Sequence, residues 1–292
     1  MLKMHTKDNL IKTYYASTRK WRKIFRFTSF ISAIVTAFLL LDLLEVITLF
    51  PEVNQTILVI LLSIFSSLFL LATILYFFGI SEKHYYRIIL KEIVEHYAKQ
   101  NDQTLTYEIE RKALAPVHKA QGIFSKHLSV TDQCLIKGKW MGVAFTTYDT
   151  RMIQSTGQNS HQIFGGFYTV IDINPPSQLQ IRSKSRPRKQ EPKLEKIDST
   201  HNLTLFLETK KQPTPQINKL LKQLQKYYEE NDLKSVYLAW FQDKVHFAHE
   251  FKNVKRRFKL LTHESIDHIY KQFEKHMAML EKVIEMSEKE DA

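Results

Sequence analysis

FTSFISAIVTAFLLLDLLEVITLF (Phe27–Phe50) and ILVILLSIFSSLFLLATILYFFGI (Ile57–Ile80) are two apolar runs of 24 residues each, six residues apart. A helix rises about 1.5 Å per residue, so either run can cross a hydrocarbon core about 30 Å thick. The connector Pro51-Glu-Val-Asn-Gln-Thr56 suits the turn of a helical hairpin, and Pro51 stops the first helix. The first run is too long for the core of a cleaved signal peptide, and a second span follows it where a cleavage site would stand.

Basic residues give the hairpin a direction. Arg19, Lys20, Arg22, Lys23 and Arg26 precede the first run, Lys83, Arg87 and Lys91 follow the second, and the connector has no Lys or Arg. The bias predicts both chain ends in the cytoplasm. Trp21, Phe25, Tyr85 and Tyr86 stand where interfacial aromatics belong. Asp42 and Glu45, three apart, share one helix face. Carboxylates inside a span suggest an ion or proton path. The preferred reading ends the hydrocarbon segment near Leu44 and leaves both acids at the outer headgroup zone, because neither span holds a basic partner for them.

The net charge of the 292-residue chain is +12. Residues 1–26 carry eight Lys or Arg against one acid, and residues 82–292 carry 34 against 26. Beside a bilayer, such charge attracts anionic phospholipid headgroups at on the order of 1 kcal/mol per basic side chain. Nucleic acid would account for the charge but not for the spans. The single cysteine, Cys134, excludes an intramolecular disulfide and any cysteine-based metal cluster, and its apolar, strand-like setting favours a core role.

The pattern predicts an α+β protein: a transmembrane hairpin, then a cytosolic region with antiparallel strands and a long C-terminal amphipathic helix. The segments are a basic amphipathic N-terminus (1–26), the hairpin (27–80), a helix plus β-rich subdomain (81–173), a basic proline-containing linker (174–193) and a strand–helix–hairpin–helix subdomain (194–292). Tyr86, Ile89, Leu90, Ile93 and Tyr97 keep helical spacing, so the second span is expected to run on into the cytosolic region. Gln133–Ile136 and Met141–Thr147 read as strands split at Lys137-Gly-Lys139, and Gln162–Ile173 as a strand containing Gly165 and Gly166. Leu203–Glu208, Ser235–Gln242 and Lys244–His249 read as further strands, with a helix over Pro215–Tyr228. Thr262 caps a last helix striped with Ile266, Ile269, Tyr270, Phe273, Met277, Leu280 and Ile284. In the linker, Arg182, Lys184, Arg186, Arg188 and Lys189 form an exposed basic stretch. Together with Lys255, Arg256 and Arg257 they are the candidate basic surface.

The search for chemistry returns little. His263 and His268 are five apart, about 140° around a helix, whereas a zinc pair needs four. His246 and His249, three apart in a strand, point to opposite faces. No phosphate loop, nucleophile elbow or kinase signature is present, so no cofactor, metal or catalytic residue is assigned.

Gly122-Ile-Phe124, Lys137–Asp149, Phe164-Gly-Gly-Phe167 and Leu203–Phe251, with the two-span layout, resemble a family of uncharacterised bacterial two-span inner-membrane proteins often encoded near LemA-family proteins. The basic proline-containing loop departs from that pattern. The resemblance implies placement in a bacterial inner membrane and brings no activity with it. The expected function is a membrane-anchored cytosolic binding or scaffold module. Its partners would be the lipid bilayer, anionic headgroups and either a protein partner or further copies of the chain. A membrane-bound enzyme acting on lipid or envelope precursors, and an oligomeric ion pathway through Asp42 and Glu45, are the alternatives.

Overall fold

A computed structural model describes residues 4–44, 55–78, 81–101, 103–108, 123, 128–156, 159–175, 177–183, 194–199, 202–208, 211–241, 243–252 and 262–288. These fall into two compact units.

The first unit is built on α1 (Met4–Leu43) and α2 (Gln55–Phe78). The basic N-terminal segment from Met4 and the first apolar run as far as Leu43 form one unbroken helix, α1. The helices pack through small and apolar residues, Ser32, Leu39, Leu58 and Ala72, which are buried. Ser29 and Thr73 share a hydrogen bond across the pair at 3.1 Å. Small hydroxyl residues let two helix backbones approach, as packing in lipid requires. In the same unit His263 meets Asp8 at 2.8 Å. Of the expected exit helix, α2 is described up to Phe78 and α3 over Ser81–Gln100; Gly79 and Ile80, on which its continuity depends, lie outside the described residues.

The second unit is a nine-stranded antiparallel sheet with helices. The strands are β1 (Leu105–Glu108), β2 (Leu128–Trp140), β3 (Val143–Thr156), β4 (Asn159–Ile171), β5 (Leu179–Arg182), β6 (Leu194–Ser199), β7 (Thr204–Glu208), β8 (Leu233–Phe241) and β9 (Lys244–Phe251). Helix α4 (Pro215–Glu230) falls between β7 and β8, and α5 (His263–Glu288) follows β9. The sheet order is β1-β2-β3-β4-β9-β8-β5-β7-β6. The α+β class and the C-terminal helix agree with the sequence reading. The division into two subdomains does not. β4 pairs with β9 from Phe167↔His249 to Ile171↔Val245, so both halves share one sheet. Nor is 174–193 a linker throughout: Leu179–Arg182 is a buried strand held between β7 and β8.

Local sequence explains most boundaries. Thr214 caps α4 by accepting a hydrogen bond from the Ile217 N–H at 3.3 Å, and Pro215 occupies the first turn, where its missing N–H costs nothing. Thr262 and Ser265 cap α5 reciprocally, the Ser265 N–H donating to Thr262 Oγ1 at 3.2 Å and the Thr262 N–H to Ser265 Oγ at 2.9 Å. The whole expected stripe of α5, Ile266 to Ile284, is buried. One turn differs from expectation. β2 runs through Lys137-Gly-Lys139, and the hairpin closes at Met141 (φ 51°) and Gly142 (φ 89°), a two-residue turn with both residues left-handed. Gly138 lies inside the strand because a Cβ there would enter the side chains of Leu105 and Phe145.

The alternation of strand side chains gives the sheet two different faces. One face is aliphatic and aromatic, and α4 and α5 pack on it: Tyr227 of α4 contacts Phe247, and His276 of α5 stacks on Phe167. α3 joins this layer through Tyr97 against Phe273 and through Gln100, which accepts from the Tyr270 hydroxyl at 2.9 Å. The opposite face buries Tyr148, Met152, Phe164, Tyr168, Tyr237 and their neighbours around Ile123.

Candidate functional site

The hairpin unit presents apolar surface to its surroundings. The helical windows Lys23–Asp42 and Gln55–Ile74 have mean hydropathies of 2.0 and 2.7, and only 11% of each window is buried. Phe27 is 67% exposed, Phe30 64% and Leu70 61%. A continuous apolar face of this kind is unfavourable in water, at about 25 cal/mol per Å² left uncovered, and suits lipid. The two helices point to association with a membrane. Asp42 is buried near the end of α1, and Glu45 lies outside the described residues.

Of the candidate basic surface, Arg182 is the residue the structure corrects. It is 4% exposed and belongs to β5, not to an exposed loop. Nη2 donates to the Ile123 carbonyl at 2.9 Å and Nη1 to Gln180 Oε1 at 3.2 Å. The guanidinium lies 5.3 Å from the Tyr237 ring centroid. A planar, many-donor cation can be buried when carbonyls and an aromatic face replace its water. Lys184, Arg186, Arg188, Lys189, Lys255, Arg256 and Arg257 lie outside the described residues.

The polar chemistry of the sheet unit concentrates around two histidines, one that sequence reading set aside and one that it did not single out. His249 on β9 and His276 on α5 are both fully buried and meet at 2.8 Å, Nε2 to Nδ1. His276 Nε2 lies 3.3 Å from Thr147 Oγ1 and 3.3 Å from Thr169 Oγ1, and the two hydroxyls are 2.8 Å apart. Thr147 and Thr169 are cross-strand partners in β3 and β4, so strand pairing places both hydroxyls under one ring. Phe167 stacks on His276 at 4.7 Å, and Tyr227 meets His249 edge-on at 5.5 Å.

The hydrogen-bond network assigns the tautomers. His249 Nδ1 has no partner among the described residues. A proton there would leave a buried donor unpaired, which costs about 1–3 kcal/mol. His249 therefore carries its proton on Nε2 and donates to His276 Nδ1, and His276 carries its proton on Nε2 and donates to the threonine hydroxyls. Burial drives the His276 pKa down to about 3. Burial, then the neighbouring His276, pushes His249 well below its ordinary value. Both rings are neutral at pH 7. They clasp α5 to the sheet without a charge. The cluster is closed to solvent, and among the described residues no group of three His, Cys, Asp or Glu could hold a metal.

The other histidines weighed in the sequence, His246, His263 and His268, follow that reading. His246 points to the opposite face, where it meets the Tyr168 hydroxyl at 3.1 Å. His268 is exposed and contacts Gln272, far in role from His263 on Asp8. Sequence alone could not have joined His249 to His276, which lie 27 residues apart. The available signal was a histidine, His276, inside the apolar stripe of α5 beside Met277.

No protein-family model matches the chain, and no protein of curated function matches it in sequence. Among solved structures it is similar to the mycobacterial trehalose monomycolate transport factor A, TtfA. The TM-score is 0.39 at 10% identity, over 65% of this chain and 94% of that one. At that distance neither an activity nor a partner transfers.

Proposed function

We propose that this chain is a membrane-anchored binding or scaffold module. In this reading α1 and α2 cross a bacterial inner membrane, both chain ends lie in the cytoplasm, and the sheet unit contacts a protein partner or the anionic inner leaflet. The carrying observation is the exposed apolar face of α1 and α2, joined in one chain to a sheet unit whose His249, His276 and Arg182 are sealed in packing roles. The charge flanking the apolar runs supports the orientation. The resemblance to two-span inner-membrane proteins supports the same placement.

In-cell crosslinking of the full chain, followed by identification of the adducts, tests the reading. Reproducible protein adducts of the sheet unit are expected for a scaffold. Adducts to lipid alone would remove the protein partner and leave the leaflet contact.

A further inference from the structure

Helices α4 and α5 run antiparallel on the sheet, with Gln216 near the start of α4 donating to the Met286 carbonyl near the end of α5. Between them opens a cleft of about 150 Å³, lined by Lys226, Tyr227 and Glu230 of α4 and by Lys275, Met279 and Lys282 of α5, among others. Lys275 and Lys282 are seven residues apart, two turns along one helix face. Neither makes an ion pair among the described residues. Lys226 and Glu230 form an exposed pair at 3.7 Å, whose mutual attraction water largely screens. The cleft therefore holds an uncompensated excess of two positive charges. Tyr227 lines it too. That side chain is 8% exposed, with its ring turned to Phe247 and His249 of the sheet.

We propose that the α4–α5 cleft binds a phosphate-bearing group. A phosphate monoester carries nearly two negative charges and three strong acceptor oxygens, which match the two ammonium groups of Lys275 and Lys282. A single carboxylate would leave one lysine uncompensated. The volume is well under the roughly 300–1,000 Å³ of sites for drug-sized ligands, so it admits a headgroup or a small phosphate ester and excludes a nucleotide. The phosphate monoester headgroup of phosphatidic acid and a free phosphate ester share this chemistry. The lipid source alone rests on the function proposed above.

The test uses the full chain in neutral phosphatidylcholine nanodiscs. One arm titrates inorganic phosphate by calorimetry. The other measures binding to phosphatidylcholine vesicles with and without phosphatidic acid. Lys275→Ala/Lys282→Ala is compared with Lys219→Ala/Lys222→Ala, which removes the same charge from exposed positions outside the cleft. The first variant is expected to weaken binding about tenfold or more and the second less than twofold, with thermal unfolding of both unchanged. Loss in the vesicle arm only identifies a lipid headgroup, and loss in both arms identifies phosphate itself. Equal losses in the two lysine variants, or no binding in either arm, would overturn the cleft. A chain that stays soluble without nanodiscs yet binds phosphate would refute anchoring and leave the cleft standing.

Discussion

Replacing His276 tests whether the histidine clasp holds the C-terminal helix to the sheet. In His276→Ala the ring leaves a fully buried site between Phe167 and Phe247. Large-to-small core changes cost about 2–5 kcal/mol. The His249 Nε2 proton also loses its acceptor at 2.8 Å, and a buried unpaired donor adds about 1–3 kcal/mol. The expected loss is roughly 3–5 kcal/mol, since the terms overlap where the cavity relaxes or admits water. His276→Leu keeps the volume and should cost only about 1–3 kcal/mol, from the orphaned His249. His249→Leu/His276→Leu removes both polar partners and should return to within about 1 kcal/mol of the parent. Thr147 and Thr169 still bond each other in that variant.

Acid separates this from generic packing. Both histidines are held below their ordinary pKa. The unfolded chain takes up protons below about pH 6.5 while the folded chain does not, so stability falls as pH drops from 6.5 towards the folded values. Each histidine contributes about 1.4 kcal/mol per pH unit in that window. Between pH 7.5 and 5.5 the pair should cost about 3 kcal/mol, a slope the double leucine variant loses. Urea unfolding followed by fluorescence is a suitable assay, because Trp240 is fully buried in β8. A His276→Ala change under about 0.5 kcal/mol, the range of ordinary surface substitutions, would refute the clasp.

Three further outcomes follow from the backbone and the second buried face. Gly166→Ala places a Cβ 2.9 Å from the His249 carbonyl carbon and 3.0 Å from Glu250 Cα, so β4 and β9 must separate; a loss of at least about 2 kcal/mol in urea unfolding is expected. Met141→Asn puts a residue tolerant of positive φ into the β2–β3 turn, and calorimetry should register a gain of about 0.5–1 kcal/mol as a higher Tm. Arg182→Lys keeps the charge but loses the forked contact to Gln180 and the Ile123 carbonyl; denaturant titration should show about 2 kcal/mol of destabilisation, where an exposed linker arginine would show none.

The elements that sequence made legible were those set by local rules. The apolar runs, the α5 stripe, its cap residue Thr262 and the β8–β9 hairpin all depend on neighbours a few residues away. Non-local pairing was not legible. Nothing near Leu179 announces that it will lie between Trp240 and Leu207, and the charge of Arg182 and the prolines around it suggested a loop. The Lys137-Gly-Lys139 stretch looked like a turn because Gly138 is there for side-chain clearance, not for a positive φ. The histidine clasp failed to show for a related reason. Period-two alternation placed His249 on a face, but only the tertiary packing of α5 supplied its partner.

The central claim is a two-span anchor with both ends on the cytoplasmic side, and cysteine labelling tests it most directly. The single native cysteine, Cys134, is buried, so the parent chain provides a low background. In intact bacterial cells a membrane-impermeant maleimide should label Val53→Cys in the connector, and should label Glu290→Cys at the C-terminus only after lysis. Labelling of Glu290→Cys in intact cells, or release of the chain from membranes by alkaline wash, would contradict the account.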